Sequence, residues 1–94
     1  MFYKFSKPYT FEGKEFTEIE LDLESMTGND FVEAKKEYKI RGFENLVPTT
    51  DSEFCAVVAS KLAKQPLEFF TGLPAKDYIG LTTKVMNFLL PLSV

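Results

Sequence analysis

The chain has 94 residues, a formal net charge of −3, one cysteine and no histidine. That length predicts a single domain over 1–94 with a real but modest core. The acidic balance argues against nucleic-acid binding, which needs a basic footprint, and a lone cysteine excludes an internal disulfide and suits a reducing compartment. No apolar run approaches the roughly 20 residues of a membrane span, and the N-terminus lacks a small-residue cleavage site after an apolar core. The expectation is a soluble, cytoplasmic protein. Ten Phe and four Tyr are more aromatics than so small a core needs, so some are expected at a surface or an interface.

Residues 2–11 place Tyr3, Phe5, Tyr9 and Phe11 at alternating positions, the strand period. Residues 15–24 alternate more strictly, with Thr17, Ile19, Leu21 and Leu23 on one face and Glu18, Glu20, Asp22 and Glu24 on the other. Gly13 between them predicts a hairpin over 1–24. A three-residue loop, Glu12-Gly13-Lys14, would set Phe5 opposite Leu21, Tyr3 opposite Leu23 and Tyr9 opposite Thr17, with both apolar rows on one face. Pro8 cannot donate to a ladder, so the first strand is expected to be an edge or to break there. The acidic row reads as a solvated face, since no histidine or ligand loop accompanies it.

The helical part spans 25–94. Ser25 to Asn29 read as a turn, followed by a helix from about Asp30 to Arg41 with a narrow apolar stripe of Phe31, Ala34 and Tyr38. Lys35, Lys36, Lys39 and Arg41 crowd its C-terminal half, favourable to the helix dipole, and Gly42 is the expected stop. Residues 43–50 form a linker. Thr50 and Glu53 have capping-box spacing, and the helix from about Asp51 to Lys64 carries Phe54, Val57, Val58 and Leu62 on one face, with Cys55 and Ala59 on its flank. Cys55 has no histidine to activate it and reads as a small core residue. Gln65-Pro66 breaks this helix, and 66–72 fit a short helical turn.

The last helix begins at Pro74, a good first-turn residue, and ends before Pro91. Leu81, Thr82, Val85, Met86, Phe88 and Leu89 share one arc of the wheel, and Gly80, Lys84 and Asn87 the other, with Asp77 at its edge. The apolar arc covers about half the wheel, wider than the roughly 100° that one core contact requires. It is either a helix wedged between two internal elements or one whose flank, at Leu81 and Phe88, is left for another chain. The fold class is therefore α+β: an N-terminal β-hairpin followed by three to four α-helices.

No enzyme chemistry stands out. There is no phosphate loop, no metal-ligand spacing, and no Ser or Cys with a plausible base. Carboxylates on one hairpin face would have nothing to desolvate them and part their pKa values. No cofactor is expected.

Residues Leu62 to Leu89, together with the strand Phe11-Glu12-Gly13-Lys14-Glu15-Phe16-Thr17-Glu18-Ile19-Glu20-Leu21, resemble the small acidic tail assembly chaperones of Mu-like and related tailed phages. The carrying motifs are the G-K-x-F-x-E-I-x-L run of the second strand and a TGLP…D…L…V…FL stretch. The latter is matched by Thr71-Gly72-Leu73-Pro74, Asp77, Leu81, Val85, Phe88 and Leu89. The resemblance implies a non-virion helper that binds the long, helical tape-measure protein, keeps it soluble and is displaced as tube subunits add. The tape-measure protein is then the expected partner, the tail tube protein a further candidate, and self-association is expected. A small structural tail or connector subunit and a small protein-binding regulator are the alternatives. A groove of apolar side chains would receive the partner helix, and the candidate contacts are Phe69, Phe70, Leu73, Leu81, Val85, Phe88 and Leu89.

Overall fold

A computed structural model describes residues 1–45 and 51–90. Two strands, β1 (Phe2–Phe11) and β2 (Lys14–Glu20), form an antiparallel pair. A 3-10 turn (Leu23–Ser25) leads into α1 (Gly28–Ile40), α2 (Ser52–Ala63), the one-turn α3 (Leu67–Thr71) and α4 (Ala75–Leu89). The architecture is α+β, a hairpin followed by helices.

The hairpin register departs from expectation. Glu12 and Gly13 both take positive φ, 51° and 78°, as a two-residue type I′ turn requires. Phe11 therefore faces Lys14 and Tyr9 faces Phe16, while beyond the irregularity Lys4 faces Glu18 and Tyr3 faces Ile19. A two-residue turn alone would have set the inward aromatics of β1 against acids. The strand escapes this by inserting residues: Phe5 to Pro8 stand against Thr17 alone. Pro8, which has no ladder donor, lies inside that irregular stretch. Thr17, expected on the inward face, is exposed, and Phe16 packs against the core in its stead. Leu21 continues the pairing by a 2.7 Å bond to the Met1 carbonyl, and Leu23 is buried in the turn that follows.

α1 starts two residues earlier than the apolar stripe suggests because Thr27 caps it. The Thr27 side chain accepts from the Asp30 amide and the Asp30 carboxylate accepts from the Thr27 amide, a capping box with Asp in the usual Glu position. It ends in a full Schellman motif: the Gly42 amide bonds Lys39, the Phe43 amide bonds Tyr38, and the Tyr38 and Phe43 rings meet at 5.5 Å. The N-cap of α2 is Asp51, which accepts from the Glu53 amide at 3.0 Å. Thr50, the rest of the expected linker at 46–49 and the expected stop at Pro91 lie outside the described residues.

The most enclosed element is α2 rather than α4. Every residue from Phe54 to Ser60 is buried, as befits a helix that is apolar nearly all round. α1 and α4 pack on it and α3 follows it, so the one-faced pattern expected from the sequence understates its burial. Phe69 of α3 is the hub of the hairpin contact, with Phe5, Tyr9, Phe11, Phe16 and Phe70 all within 6.3 Å of its ring centre.

Candidate interaction surface

Five of the seven candidate contacts face inward. Phe69, Phe70, Leu81 and Val85 are fully buried and Leu73 nearly so. The expected partner surface is corrected accordingly. The reason lies in tertiary packing: β1 lies over Phe69, and α2 lies along the Leu81–Val85 side of α4. Periodicity reports that a face is apolar and leaves open what covers it. Phe88 is 45% exposed and Leu89 half-buried, so these two alone of the seven offer surface.

Phe88 sits between two shallow grooves where the end of α4 meets the turn before α1. One, of about 260 Å³, is lined by Leu23, Met26, Phe31 and Leu89 together with Glu24, Thr27 and Gly28. The other, of about 400 Å³, is lined by Met1, Leu23, Glu24, Lys84 and Asn87. Met1, Met26 and Phe31 are half-buried, so the two grooves and Phe88 make one apolar patch with a polar rim. Sequence reading missed Met1, Leu23, Met26 and Phe31 as members, because they are brought to Phe88 only by the fold.

The hairpin is fixed to α4 by a buried carboxylate. Asp77, in the first turn of α4, is 1% exposed. Its Oδ1 accepts from the Tyr3 hydroxyl at 3.0 Å and the Ser6 amide at 3.1 Å, and its Oδ2 accepts from the Ser6 hydroxyl at 2.9 Å. Ser6 lies in the irregular stretch of β1. A carboxylate at the N-terminus of a helix is also favoured by the helix dipole. Tyr9 makes a parallel contact on α3, donating to the Phe69 carbonyl at 2.8 Å.

Elsewhere ion pairs link α1 to α2 and α3. Glu37 of α1 accepts from Arg41 at 3.0 Å and meets Lys61 of α2 at 3.1 Å. Burial pushes its carboxyl up, but the bonds and charges of Lys61 and Arg41 outweigh this and hold it below its ordinary value. Lys36 pairs with Glu33 on an exposed face, so part of the basic run on α1 is a solvated helix surface. Tyr38 donates to Asp51, tying α1 to the start of α2. Burial and that bond push the Tyr38 phenol up to about 12. Burial also pushes the Cys55 thiol up to about 12, the opposite of the depressed value that activates a cysteine nucleophile. Among the described residues, no three His, Cys, Asp or Glu gather as a metal site, and no helix is long and apolar enough to cross a membrane.

Scans against protein-family models, curated proteins and solved structures found no match to this chain.

Proposed function

We propose that this chain is a non-catalytic tail assembly chaperone. It holds a long, helical tape-measure protein in solution in the host cytoplasm before the tail tube forms around it. The observation that carries the reading is Phe88. It is the largest exposed side chain on α4, where Leu81 and Val85 are fully buried, and it lies in an apolar patch with grooves on both sides. An amphipathic helix docks on such a surface by placing apolar residues in the grooves, one turn apart. The motif resemblance in α3 and α4 supports the choice of partner, and the net negative charge would keep the complex soluble.

The test is co-expression with a phage tape-measure protein. The soluble fraction of that protein should rise with the wild-type chain and fall back with Phe88→Asp. An unchanged soluble fraction with the wild-type chain removes the reading. Recovery of the chain in purified tail particles would favour a structural tail subunit instead.

A further inference from the structure

Seven charged side chains lie on α1 and its C-cap, and five of them are held by partners. Asp30 closes the capping box, Glu33 pairs with Lys36, and Glu37 pairs with Arg41. Lys35 and Lys39 form no ion pair among the described residues. They stand one turn apart, a spacing at which like charges on a helix repel. The negative end of the helix dipole supports Lys39, but its effect falls off within the last turn and Lys35 gains little from it. An anion shared by the two lysines would relieve the repulsion.

Both lysines line one cavity of about 630 Å³ at the C-terminal end of α1, a volume within the range of small-molecule sites. It is larger than either groove beside Phe88. Its other walls include Gly42 and the rings of Tyr38 and Phe43, which meet at 5.5 Å. Phe43 is half-buried, so part of its side chain is left for a ligand. The Tyr38 and Lys39 carbonyls, which would repel an anion, already accept from the Phe43 and Gly42 amides. Glu44 is the one carboxylate among the described residues that line the cavity.

We propose that this cavity binds a small molecule in which an aromatic ring carries a single phosphate or carboxylate group. The anion is shared by Lys35 and Lys39, and the ring lies against Phe43. Lysine presents a compact charge that suits a phosphate, whereas planar pairing with a carboxylate favours arginine. No arginine is among the described residues lining the cavity, so a phosphate ester fits it better. Glu44 opposes a second anionic group. The site shares no residue with the Phe88 patch and does not rest on the chaperone reading, so either can fail alone.

The probe is phenyl phosphate, titrated into the full chain at low salt and followed by amide chemical shifts. Benzoate, inorganic phosphate and benzyl alcohol are the comparison ligands. Phenyl phosphate should shift the Gly42 and Phe43 amides and bind at least about tenfold more tightly than inorganic phosphate or benzyl alcohol. Benzoate separates the two anions, and the tighter of the pair names the ligand. Lys35→Gln with Lys39→Gln should weaken phenyl phosphate by at least about tenfold at an unchanged melting temperature, and Glu44→Gln should strengthen it. The proposal is overturned if benzyl alcohol binds as tightly as both anions, or if neither anion saturates in the millimolar range. Shifts centred on Phe88 instead of Gly42 and Phe43 overturn it as well. These last readouts use the wild-type chain and stand even if the double variant does not fold.

Discussion

A β-carbon added at Gly80 would stand 2.6 Å from the Tyr3 hydroxyl and 3.2 Å from two atoms of its ring. Tyr3 is pinned there by its bond to Asp77, so the ring cannot simply swing aside. In an exposed helix interior, Gly→Ala stabilises by up to about 1 kcal/mol. Here overpacking of about 1–3 kcal/mol opposes that gain. Gly80→Ala should therefore lower the unfolding free energy, and the loss should shrink in a Tyr3→Phe background, where the nearest clashing atom is gone. A double-mutant cycle by urea unfolding measures this coupling. A raised melting temperature for Gly80→Ala would refute it.

Asp77 satisfies three donors at once, so its loss should exceed that of an ordinary surface cap. Asp77→Ala leaves the Ser6 amide, the Ser6 hydroxyl and the Tyr3 hydroxyl without their acceptor. A cost of about 2–4 kcal/mol follows from hydrogen bonds to a charged group. Asp77→Asn retains one oxygen for Tyr3 and the Ser6 amide and offers N–H to the Ser6 oxygen, so its cost should be smaller. Chemical denaturation of the two variants checks the order, and equal losses would mean that the hydrogen bonds contribute little.

These two positions show what was legible in the sequence. The hairpin and the helices were readable because alternation, Gly42 and Pro66 mark elements through local chemistry. Gly80 and Asp77 read as polar-side residues of α4, which is correct for the isolated helix and silent about β1 docking there. The register failed for a related reason. The turn conformation at Glu12-Gly13 and the inserted residues of β1 are mutually dependent, and a uniform ladder cannot represent both. The partner surface was overdrawn because an apolar arc looks the same whether a neighbouring helix or another chain covers it.

Stability should fall at both extremes of pH. Tyr38 and Cys55 have folded pKa values of about 12, above ordinary values of 10.0 and 9.0. Their protonated forms are favoured by folding, so this contribution is whole below roughly pH 9 and is lost as pH rises toward 12. At Asp51 burial raises the carboxyl, but hydrogen bonds from Glu53 and Tyr38 outweigh it and lower the net value. Its contribution is present above the ordinary carboxylate range near roughly pH 4 and is lost below it. Tyr38→Phe should destabilise at neutral pH and flatten the alkaline limb. Urea midpoints from pH 3 to pH 12 read both effects, taken over about the range these groups span.

Two left-handed residues should respond with opposite signs. Gly42 ends α1 at φ 87°, and Lys64 ends α2 at φ 57°. The left-handed conformation costs a residue with a β-carbon about 1–2 kcal/mol. Gly42→Ala should destabilise by about that amount, and Lys64→Gly should stabilise by up to about 1 kcal/mol. No β-carbon contact lies within 4 Å at Gly42, so its loss would be conformational rather than steric. Thermal unfolding of the pair checks the signs.

Phe88 and Phe69 separate contact from core most sharply. Phe69 is fully buried and holds the aromatic cluster beneath the hairpin together, so Phe69→Ala should cost about 3–5 kcal/mol, a large share of a small domain's stability. Any loss of partner binding in that variant would follow from unfolding. Phe88 is nearly half exposed, so Phe88→Asp should change stability by no more than about 1 kcal/mol. If the proposed contact holds, its effect falls on association instead: self-association by light scattering should weaken, and a co-expressed tape-measure protein should lose solubility. A Phe88→Asp chain that folds, associates and solubilises as the wild type does would show that the patch between α4 and α1 is not the contact.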